Sequence, residues 1–402
     1  MLERPTQAVI LAGGRGTRLR PFTDHNPKPM YPFSGRPFLE YLLTLLHGQG
    51  FDKVLLLLGY LPEKIMDYFG DGQPLGLHIE YSLAPVEAET GERLKVASPK
   101  LEPSFLLLYC DNYWPLNMGV LWDWYKKENT PAMFTVYRNR DGYTRDNIKV
   151  DEFGYVVTYD RSRRSKGLSG VDIGYALLDK SVIDLIPEGN VSFEATVYPR
   201  LAERRQLKAF LTDHRYYSVS SQDRLPLTEA FLSGQKAVIL DRDGVLNKKP
   251  PRAQYVKRWQ DFEWLPGAIE SLYLLKQSGY KILLVSNQAG IARGEMTDED
   301  LHRIHRQMKN ELQTHDVSIE GIYYCPHGWD EGCWCRKPRP GMLFQAQREY
   351  HLDLTKTFFI GDDERDVEAG QAAGCPTFLV TPEYSLLQCI KDHIPLEKRG
   401  EA

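Results

Sequence analysis

The segment Ala237–Asn247 constrains the fold of this chain more than any other stretch. Four apolar residues run directly into Asp241, and Asp243 follows two positions later. An apolar run this short predicts a buried parallel strand, because a core helix needs more residues. The alternative is a surface turn, since Asp243-Gly244 is also a common turn pair.

The two carboxylates of this segment predict chemistry on phosphate. They follow the strand at the edge where open α/β sheets form their sites, and an extended backbone would place Asp241 and Asp243 on the same side. One carboxylate can attack phosphorus while the other transfers a proton. A divalent cation would reduce their mutual repulsion.

Length and charge exclude some classes of function. The 402 residues predict two or three domains, and a net charge of −4 gives no general attraction to nucleic acid or anionic membranes. Residues 1–7 lack the pattern of a signal peptide, and the apolar run 54–58 is too short to span a bilayer. We therefore expect a cytoplasmic protein without nucleic-acid or membrane partners.

The first half of the chain alternates strand and helix patterns. Buried strands are predicted over residues 7–12, 52–59 and 104–110, and a helix is predicted over residues 38–48. The third of these strands ends at Asp111. This alternation is typical of a doubly wound α/β domain.

A glycine-rich loop follows the first strand of this half. The glycines at positions 13, 14 and 16 let backbone amides approach a phosphate closely, and Arg18 adds positive charge. Lys28 lies between two prolines that hold an extended turn. The loop therefore predicts phosphate binding.

These motifs, in Leu11–Thr23 and Pro27–Pro29, resemble the signature of the sugar-1-phosphate nucleotidyltransferases. The resemblance implies that a sugar phosphate attacks a nucleoside triphosphate and releases pyrophosphate, with catalysis by positioning and charge neutralisation. It implies that the nucleotide-binding residues are Leu11, Ala12, Gly13, Gly14, Arg18, Lys28 and Asp111. Among them, Arg18 and Lys28 would be catalytic and Asp111 would bind Mg²⁺.

Two positions depart from the pattern of that family. Glu89 stands in the loop that receives the base, and Ser218 stands where a second metal-binding acid is expected. A serine hydroxyl is a much weaker Mg²⁺ ligand than a carboxylate. Asp172 and Asp213 are candidate replacements, and the alternative interpretation is a degenerate domain that only binds.

The polar stretch 218–224 and the glycine before residue 235 predict a boundary between domains spanning residues 1–232 and 235–402. Further strand and helix patterns alternate beyond it, at residues 269–278, 280–285, 301–312, 319–324 and 357–360. We expect a second doubly wound, Rossmann-like α/β sheet built around the strand that precedes Asp241.

Metal ligands cluster in one short loop of the second half, namely Cys325, His327, Cys333 and Cys335. In a reducing compartment this spacing predicts a metal site rather than disulfides, and three thiolates with one imidazole complete a tetrahedral zinc site. Because protein fills all four positions, the zinc would be structural and would fix the position of Lys337.

The second half resembles the haloacid dehalogenase superfamily, and within it the zinc-containing D-glycero-D-manno-heptose 1,7-bisphosphate 7-phosphatases. The similarity lies in Asp241–Gly244, Ser286–Gly294, Tyr323–His327, Cys335–Leu343 and Ile360–Asp362. It implies that Asp241 is the nucleophile that forms an aspartyl phosphate, and that Asp243 is the general acid and base. The implied phosphate or substrate contacts are Ser286, Asn287, Arg336 and Lys337, and the implied Mg²⁺ ligands are Asp241, Asp243 and Asp362.

Together the two halves predict consecutive steps on one sugar. A heptose bisphosphate would lose its 7-phosphate, and the resulting 1-phosphate would then receive a nucleotidyl group from a nucleoside triphosphate. The cofactors would be Mg²⁺ and structural Zn²⁺. A further alternative is a phosphatase of histidinol phosphate, whose family shares the acid pair and a zinc loop.

Overall fold

The computed structural model describes residues 4–397 and divides into two compact units between Ser233 and Gly234. No helix in that range combines the length and the apolar character that crossing a bilayer requires.

The first unit contains thirteen of the described strands and six α-helices. Its strands are β1 Gln7–Ala12, β2 Pro32–Phe33, β3 Arg36–Pro37, β4 Lys53–Leu58, β5 His78–Leu83, β6 Ser104–Tyr109, β7 Asn112–Tyr113, β8 Ala132–Tyr137, β9 Ile148–Val150, β10 Val156–Tyr159, β11 Val171–Asp179, β12 Leu207–Thr212 and β13 Tyr217–Ser218. Its helices are α1 Phe38–Gly48, α2 Pro62–Phe69, α3 Thr90–Ala97, α4 Met118–Glu128, α5 Phe193–Glu203 and α6 Leu225–Leu232.

Seven of these strands form one sheet in the order β12-β8-β11-β6-β1-β4-β5. All neighbours pair in parallel except β11, which runs antiparallel to both β6 and β8. Alternate residues of β1 belong to different core clusters, with Ile10 in one and Val9 in the other. Both faces of the sheet are therefore covered, which confirms the predicted α/β class. The reversed β11 was not predicted.

The second unit contains five parallel strands and five α-helices. Its strands are β14 Ala237–Leu240, β15 Lys281–Asn287, β16 Gly321–Cys325, β17 Phe358–Gly361 and β18 Thr377–Leu379. Its helices are α7 Ala268–Gln277, α8 Asp298–Thr314, α9 Gly341–Tyr350, α10 Glu364–Ala373 and α11 Leu386–His393.

The strand before Asp241 occupies the centre of this second sheet, whose order is β16-β15-β14-β17-β18. Residues of β14 alternate between two core clusters, with Leu240 on one face and Ile239 on the other. A central strand buried on both faces reads as an unbroken apolar run, which is why the sequence identifies it. The chain order reverses on either side of β14, and ligands bind at such switch points.

Candidate active sites

Asp241 follows β14 directly, and its backbone amide donates to the carbonyl of Ile360 in β17. Its Oδ1 lies 3.0 Å from Nζ of the buried Lys337. The same ammonium lies 2.6 Å from Asp366 Oδ1 and donates to the Val285 carbonyl. Burial raises the pKa of Asp241, and attraction to Lys337 opposes that rise. The predicted nucleophile and the predicted phosphate-binding lysine are thus in direct contact.

Asp243 lies in a different environment. Its carboxylate accepts hydrogen bonds from Arg242, from Asn247 at 2.9 Å and from Gln288 at 2.9 Å. Burial alone would raise the pKa of Asp243, but Arg242 and these hydrogen bonds outweigh it and hold the pKa below its ordinary value. Arg242 also contacts His305, whose pKa is lowered to about 3 by burial and by Arg242, so the imidazole is neutral.

Three carboxylates form a group that could hold a cation. Oxygens of Asp241, Asp362 and Asp366 lie within 4.8 Å of one another. Gly244 makes room for this group, because it adopts a φ of +95° and a Cβ there would lie 2.0 Å from Asp362 Oδ2. The Asp243 carboxylate lies outside the group, so its role as a metal ligand stays a prediction.

Ser286 and Asn287 end β15 and line the same cleft. Ser286 Oγ accepts a hydrogen bond from Gln288 and is buried. The Asn287 amide binds the backbone of Lys337 twice, donating to its carbonyl and accepting from its amide at 3.0 Å each. Asn287 therefore positions Lys337, and its predicted contact with substrate stays a prediction.

The predicted zinc ligands come together at the end of β16, whose last residue is Cys325, and in the loop that follows it. Cys325 Sγ lies 3.5 Å from His327 Nδ1 and from Cys333 Sγ, while Cys335 Sγ lies 3.2 Å from His327 Nδ1 and 3.5 Å from Cys333 Sγ. In a tetrahedron with Zn–S bonds of about 2.3 Å the sulfurs would lie about 3.8 Å apart, so the four side chains nearly match a zinc site. Lys337 follows two residues after Cys335.

The predicted phosphatase residues Asp241, Asp243, Ser286, Asn287, Lys337 and Asp362 line a cleft of about 630 Å³. Arg336, a predicted substrate contact, lines the cleft and donates to the His327 carbonyl at 3.4 Å. Several other lining residues were not predicted from the sequence, among them Lys249, Arg252, Trp329, Arg365 and Asp366. Asp366 could have been found, because it belongs to the acidic run after β17.

In the first unit, Lys28 and Asp111 form an ion pair, with Nζ 2.5 Å from Oδ2. Burial opposes the charge on Lys28, but attraction to Asp111 outweighs it and holds the pKa of Lys28 above its ordinary value. Arg18 lies on an exposed single turn of 3₁₀ helix, and its charge is felt by Lys28. These three predicted residues are therefore grouped beyond the carboxyl ends of β1 and β6.

The buried Arg93 donates a hydrogen bond to the first residue of the glycine-rich loop. Leu11 and Ala12 end β1, and Gly13 and Gly14 begin the loop. The Arg93 guanidinium donates to four backbone carbonyls, those of Gly13, Leu58, Pro85 and Val86. A Cβ on Gly13 would lie 2.3 Å from this guanidinium, so a larger residue there would displace Arg93 from its carbonyl acceptors. The role of Arg93 was not predicted, because an arginine within a helix usually faces solvent.

Ser218 lies beside Asp111, where the sequence placed it. It pairs with Asn112 across β13 and β7, and the next amide, that of Val219, donates to the Asp111 carbonyl at 2.9 Å. Among residues 4–397, no cluster of three metal-binding side chains includes Asp111.

Neither candidate replacement for the missing acid is free to join Asp111. Asp213 is held by Arg138 at 2.6 Å and by Arg140 at 2.9 Å. Asp172 accepts from the Tyr159 hydroxyl at 3.0 Å, and burial raises its pKa to about 6. These contacts therefore do not support the prediction that Asp172 or Asp213 replaces the acid expected at position 218.

Comparison with known proteins matches both units. A family model described as nucleotidyl transferase matches residues 7–163, and one described as HAD-hydrolase-like matches residues 334–385. The D-glycero-β-D-manno-heptose-1,7-bisphosphate 7-phosphatase of Photorhabdus laumondii is 43% identical over 147 residues, which cover 35% of this chain and 77% of that protein.

Two solved structures are also similar. The D,D-heptose 1,7-bisphosphate phosphatase of B. bronchiseptica, complexed with magnesium and phosphate, is 36% identical, covering 40% of this chain and 89% of that chain with a TM-score of 0.36. A protein of Bacillus anthracis assigned as a glucose-1-phosphate thymidylyltransferase, with sucrose bound, is 16% identical, covering 56% of this chain and 94% of that chain with a TM-score of 0.50. The second likeness concerns the fold alone.

The match to the Photorhabdus protein extends over three quarters of that relative at well above 30% identity. The chain therefore carries a nucleotidyl transferase domain and, through its second unit, belongs to the haloacid dehalogenase-type family of the heptose-bisphosphate phosphatases.

Proposed function

We propose that the second unit removes the 7-phosphate of D-glycero-D-manno-heptose 1,7-bisphosphate, and that the first unit transfers a nucleotidyl group to the resulting heptose 1-phosphate. The single observation that carries the first step is the contact of Asp241 with Lys337 at a switch point of the sheet. The substrate is suggested by the relatives of the second unit, which are named as heptose-1,7-bisphosphate 7-phosphatases.

The hydrolysis proceeds in two displacements. A carboxylate oxygen of Asp241 forms a bond to phosphorus while the bond from phosphorus to the sugar oxygen breaks, and Asp243, which must be protonated for this step, gives its proton to that oxygen. Water then forms a bond to the phosphorus of the aspartyl phosphate, Asp243 takes a proton from the water, and the bond from phosphorus to Asp241 breaks to release inorganic phosphate. Lys337 and Ser286 stabilise the charge on the transferred group, because both lie at the carboxyl edge beside Asp241.

The residues at this edge fit a magnesium ion. Asp362 Oδ1 is buried and has no hydrogen-bond partner among the described residues, as expected of an oxygen that serves as a ligand. Asp241 and Asp362 would hold the ion, with Asp366 beside them. Bound magnesium would neutralise charge on the phosphate and on the carboxylates. The four side chains after β16 would likewise hold a structural zinc ion.

In the first unit, Arg18 and Lys28 neutralise the triphosphate, and the amides of Gly13 and Gly14 approach its oxygens. Asp111 would be the carboxylate ligand of the magnesium that accompanies the nucleotide. A sugar phosphate oxygen forms a bond to the α-phosphorus, and the bond to pyrophosphate breaks.

One observation favours a second candidate for the first unit. Ser218, and not an acid, lies beside Asp111, and Asp172 and Asp213 are engaged elsewhere. A single carboxylate binds Mg²⁺ less tightly than two. In this alternative the first unit binds nucleotide or sugar phosphate without transfer.

The proposed first step is tested by following heptose 1,7-bisphosphate with ³¹P NMR in the presence of Mg²⁺. We expect the 7-phosphate signal to be replaced by inorganic phosphate while the anomeric phosphate signal persists. Loss of the anomeric phosphate first, or no hydrolysis at all, would refute the proposed specificity.

A further inference from the structure

The buried face of helix α8 carries one polar side chain, that of His305. The other buried residues of this face are Leu301, Ile304, Met308 and Leu312, at the spacing of an amphipathic helix. His305 is only 6% exposed. A buried imidazole without a hydrogen bond would cost free energy, so the partner of His305 indicates what the residue does.

The partner is Arg242, which stands between the two acids that follow β14. Its Nη1 lies 3.2 Å from His305 Nε2. A guanidinium has donors only and keeps its charge in proteins, so the imidazole nitrogen is the acceptor of this bond. The ring is neutral, because burial and Arg242 lower the pKa of His305 to about 3. Helix α8 thus holds one end of an arginine that is fully buried.

The other end of the Arg242 guanidinium faces Asp243. Nη2 lies 3.0 Å from Asp243 Oδ1 and 2.8 Å from Oδ2, and Nε lies 3.2 Å from Oδ1. The two neighbouring side chains can meet because the chain turns after β14, where the Leu246 amide donates to the Arg242 carbonyl at 2.9 Å. A planar group that contacts both oxygens fixes the plane of the carboxylate. Arg242 therefore orients Asp243, and His305 holds Arg242.

The remaining partners of Asp243 hold it less completely. Asn247 donates to Oδ1 and Gln288 donates to Oδ2, each through one bond of 2.9 Å. Asp243 is among the described residues that line the cleft, and Arg242 and His305 are not. Because both are buried, they can act on a substrate only through Asp243.

We propose that His305 is a positioning residue of the phosphatase reaction, which holds Arg242 so that Arg242 keeps the Asp243 carboxylate in the orientation for proton transfer. The proposal rests on the proposed function, because Asp243 transfers a proton only in that reaction. A general acid must lie within hydrogen-bond reach of the atom that it protonates, and a small misplacement costs rate. His305 should therefore affect kcat and not KM.

The test replaces His305 with three side chains that differ in the position of the acceptor. His305→Leu removes the acceptor and keeps an apolar side chain on the buried face. His305→Gln places a carbonyl oxygen near the position of Nε2, whereas His305→Asn carries the same amide on a side chain too short to reach Arg242. The full-length variants are assayed on heptose 1,7-bisphosphate with Mg²⁺, and their thermal unfolding midpoints are measured.

We expect kcat to fall by about tenfold or more in His305→Leu and His305→Asn, with KM within about twofold of the wild-type value. His305→Gln should keep kcat within about threefold of wild type, because its oxygen still accepts from Arg242. His302→Leu is the matched control, since His302 lies on the same helix, is exposed and contacts the Tyr324 hydroxyl at 3.1 Å. It should change neither kcat nor KM.

A single-turnover experiment with the enzyme in excess separates proton transfer from binding. In His305→Leu the rate of the first release of heptose 1-phosphate should fall at saturating enzyme. The enzyme concentration that gives half of the maximal rate should stay at the wild-type value, because His305 does not touch the substrate.

The outcomes separate the two levels of inference. If the wild type hydrolyses the bisphosphate but His305→Leu keeps the wild-type kcat, or the loss appears in KM, the positioning role is refuted and the phosphatase function stands. If His305→Leu does not fold, the comparison of His305→Gln with His305→Asn decides, and an equal loss of kcat in both refutes the role. If the wild type hydrolyses no bisphosphate, the proposed function itself fails.

Discussion

Arg242 stands between two acids in the sequence, yet it is fully buried. Its guanidinium faces Asp243 at 2.8 Å and the neutral His305 at 3.2 Å, so it sets the charge of Asp243 instead of meeting substrate. Asp241 lies two residues before Asp243, and burial raises the pKa of Asp241 above its ordinary value. The two acids of one short motif thus lie in surroundings that shift their pKa values in opposite directions.

Asp241→Asn should abolish phosphate release, by on the order of 10³-fold or more, because an amide cannot form the aspartyl phosphate. Asparagine has nearly the same size, so the thermal unfolding midpoint should stay close to that of the wild type. The measurement is phosphate release from the bisphosphate alongside calorimetry. Ordinary turnover in this variant would contradict the assignment of the nucleophile.

Single residues were predictable where a motif fixes their place on the backbone. The end of β14, the lysine after the metal loop and the acid after β17 all followed from local sequence. Arg93 and Arg252 did not, because what they touch comes from segments distant in the chain, such as the Leu58 carbonyl and the Trp329 ring. Asp366 was given no role from the sequence, and in the structure it also completes the capping box of α10.

Helix α3 is joined to three strand ends by one side chain. Arg93→Ala would leave the carbonyls of Gly13, Leu58, Pro85 and Val86 without their donor inside the unit. We expect a loss of about 3 kcal/mol or more in the free energy of unfolding of the first unit, with weaker triphosphate binding.

Urea denaturation and nucleotide titration measure these two effects. Arg93→Lys should recover only part of the stability and of the triphosphate binding, because an ammonium has fewer hydrogen-bond donors than a guanidinium and they lie closer together. The exposed Arg15, whose partner is Glu87, is the control for stability. If the Arg93→Ala protein were as stable as the Arg15→Ala protein, the hydrogen bonds of Arg93 to the four carbonyls would not contribute to the stability of the unit.

The metal loop between β16 and α9 places Lys337 and Trp329 at the cleft. Cys333→Ser should remove zinc and lower phosphatase activity by about tenfold or more, because the loop loses its closure. Elemental analysis of the purified protein should find one zinc per chain in the wild type and far less in the variant. Cys375→Ser, a buried cysteine outside the cluster, should keep its zinc. Wild-type protein without zinc would refute the site.

At the level of elements, strands buried on both faces were predictable and the direction of β11 was not. Its apolar residues 173–178 indicate burial, but period and composition do not distinguish parallel from antiparallel pairing. The short pairing of β13 with β7 was not predicted either. The family resemblance had nevertheless aligned Ser218 with a metal-binding position, and this pairing places Ser218 next to Asp111.

Each of the two units has its own sheet and its own core. Variants in one unit should therefore leave the other activity intact. Arg18→Ala and Asp111→Ala should each stop nucleotidyl transfer, because they remove phosphate neutralisation and the metal carboxylate, with phosphatase rates unchanged. Paired assays of both activities test this, and loss of both in either variant would contradict independent sites.

The central claim is that one chain performs dephosphorylation and nucleotidyl transfer in that order. The direct measurement is a time course in which the protein, Mg²⁺, heptose 1,7-bisphosphate and each nucleoside triphosphate are incubated together and all products are identified by mass. We expect heptose 1-phosphate and inorganic phosphate to appear first, followed by a nucleoside diphosphate heptose and pyrophosphate with one of the nucleotides. A nucleotide sugar that retains the 7-phosphate, or heptose 1-phosphate that accumulates unchanged with every nucleotide, would contradict it.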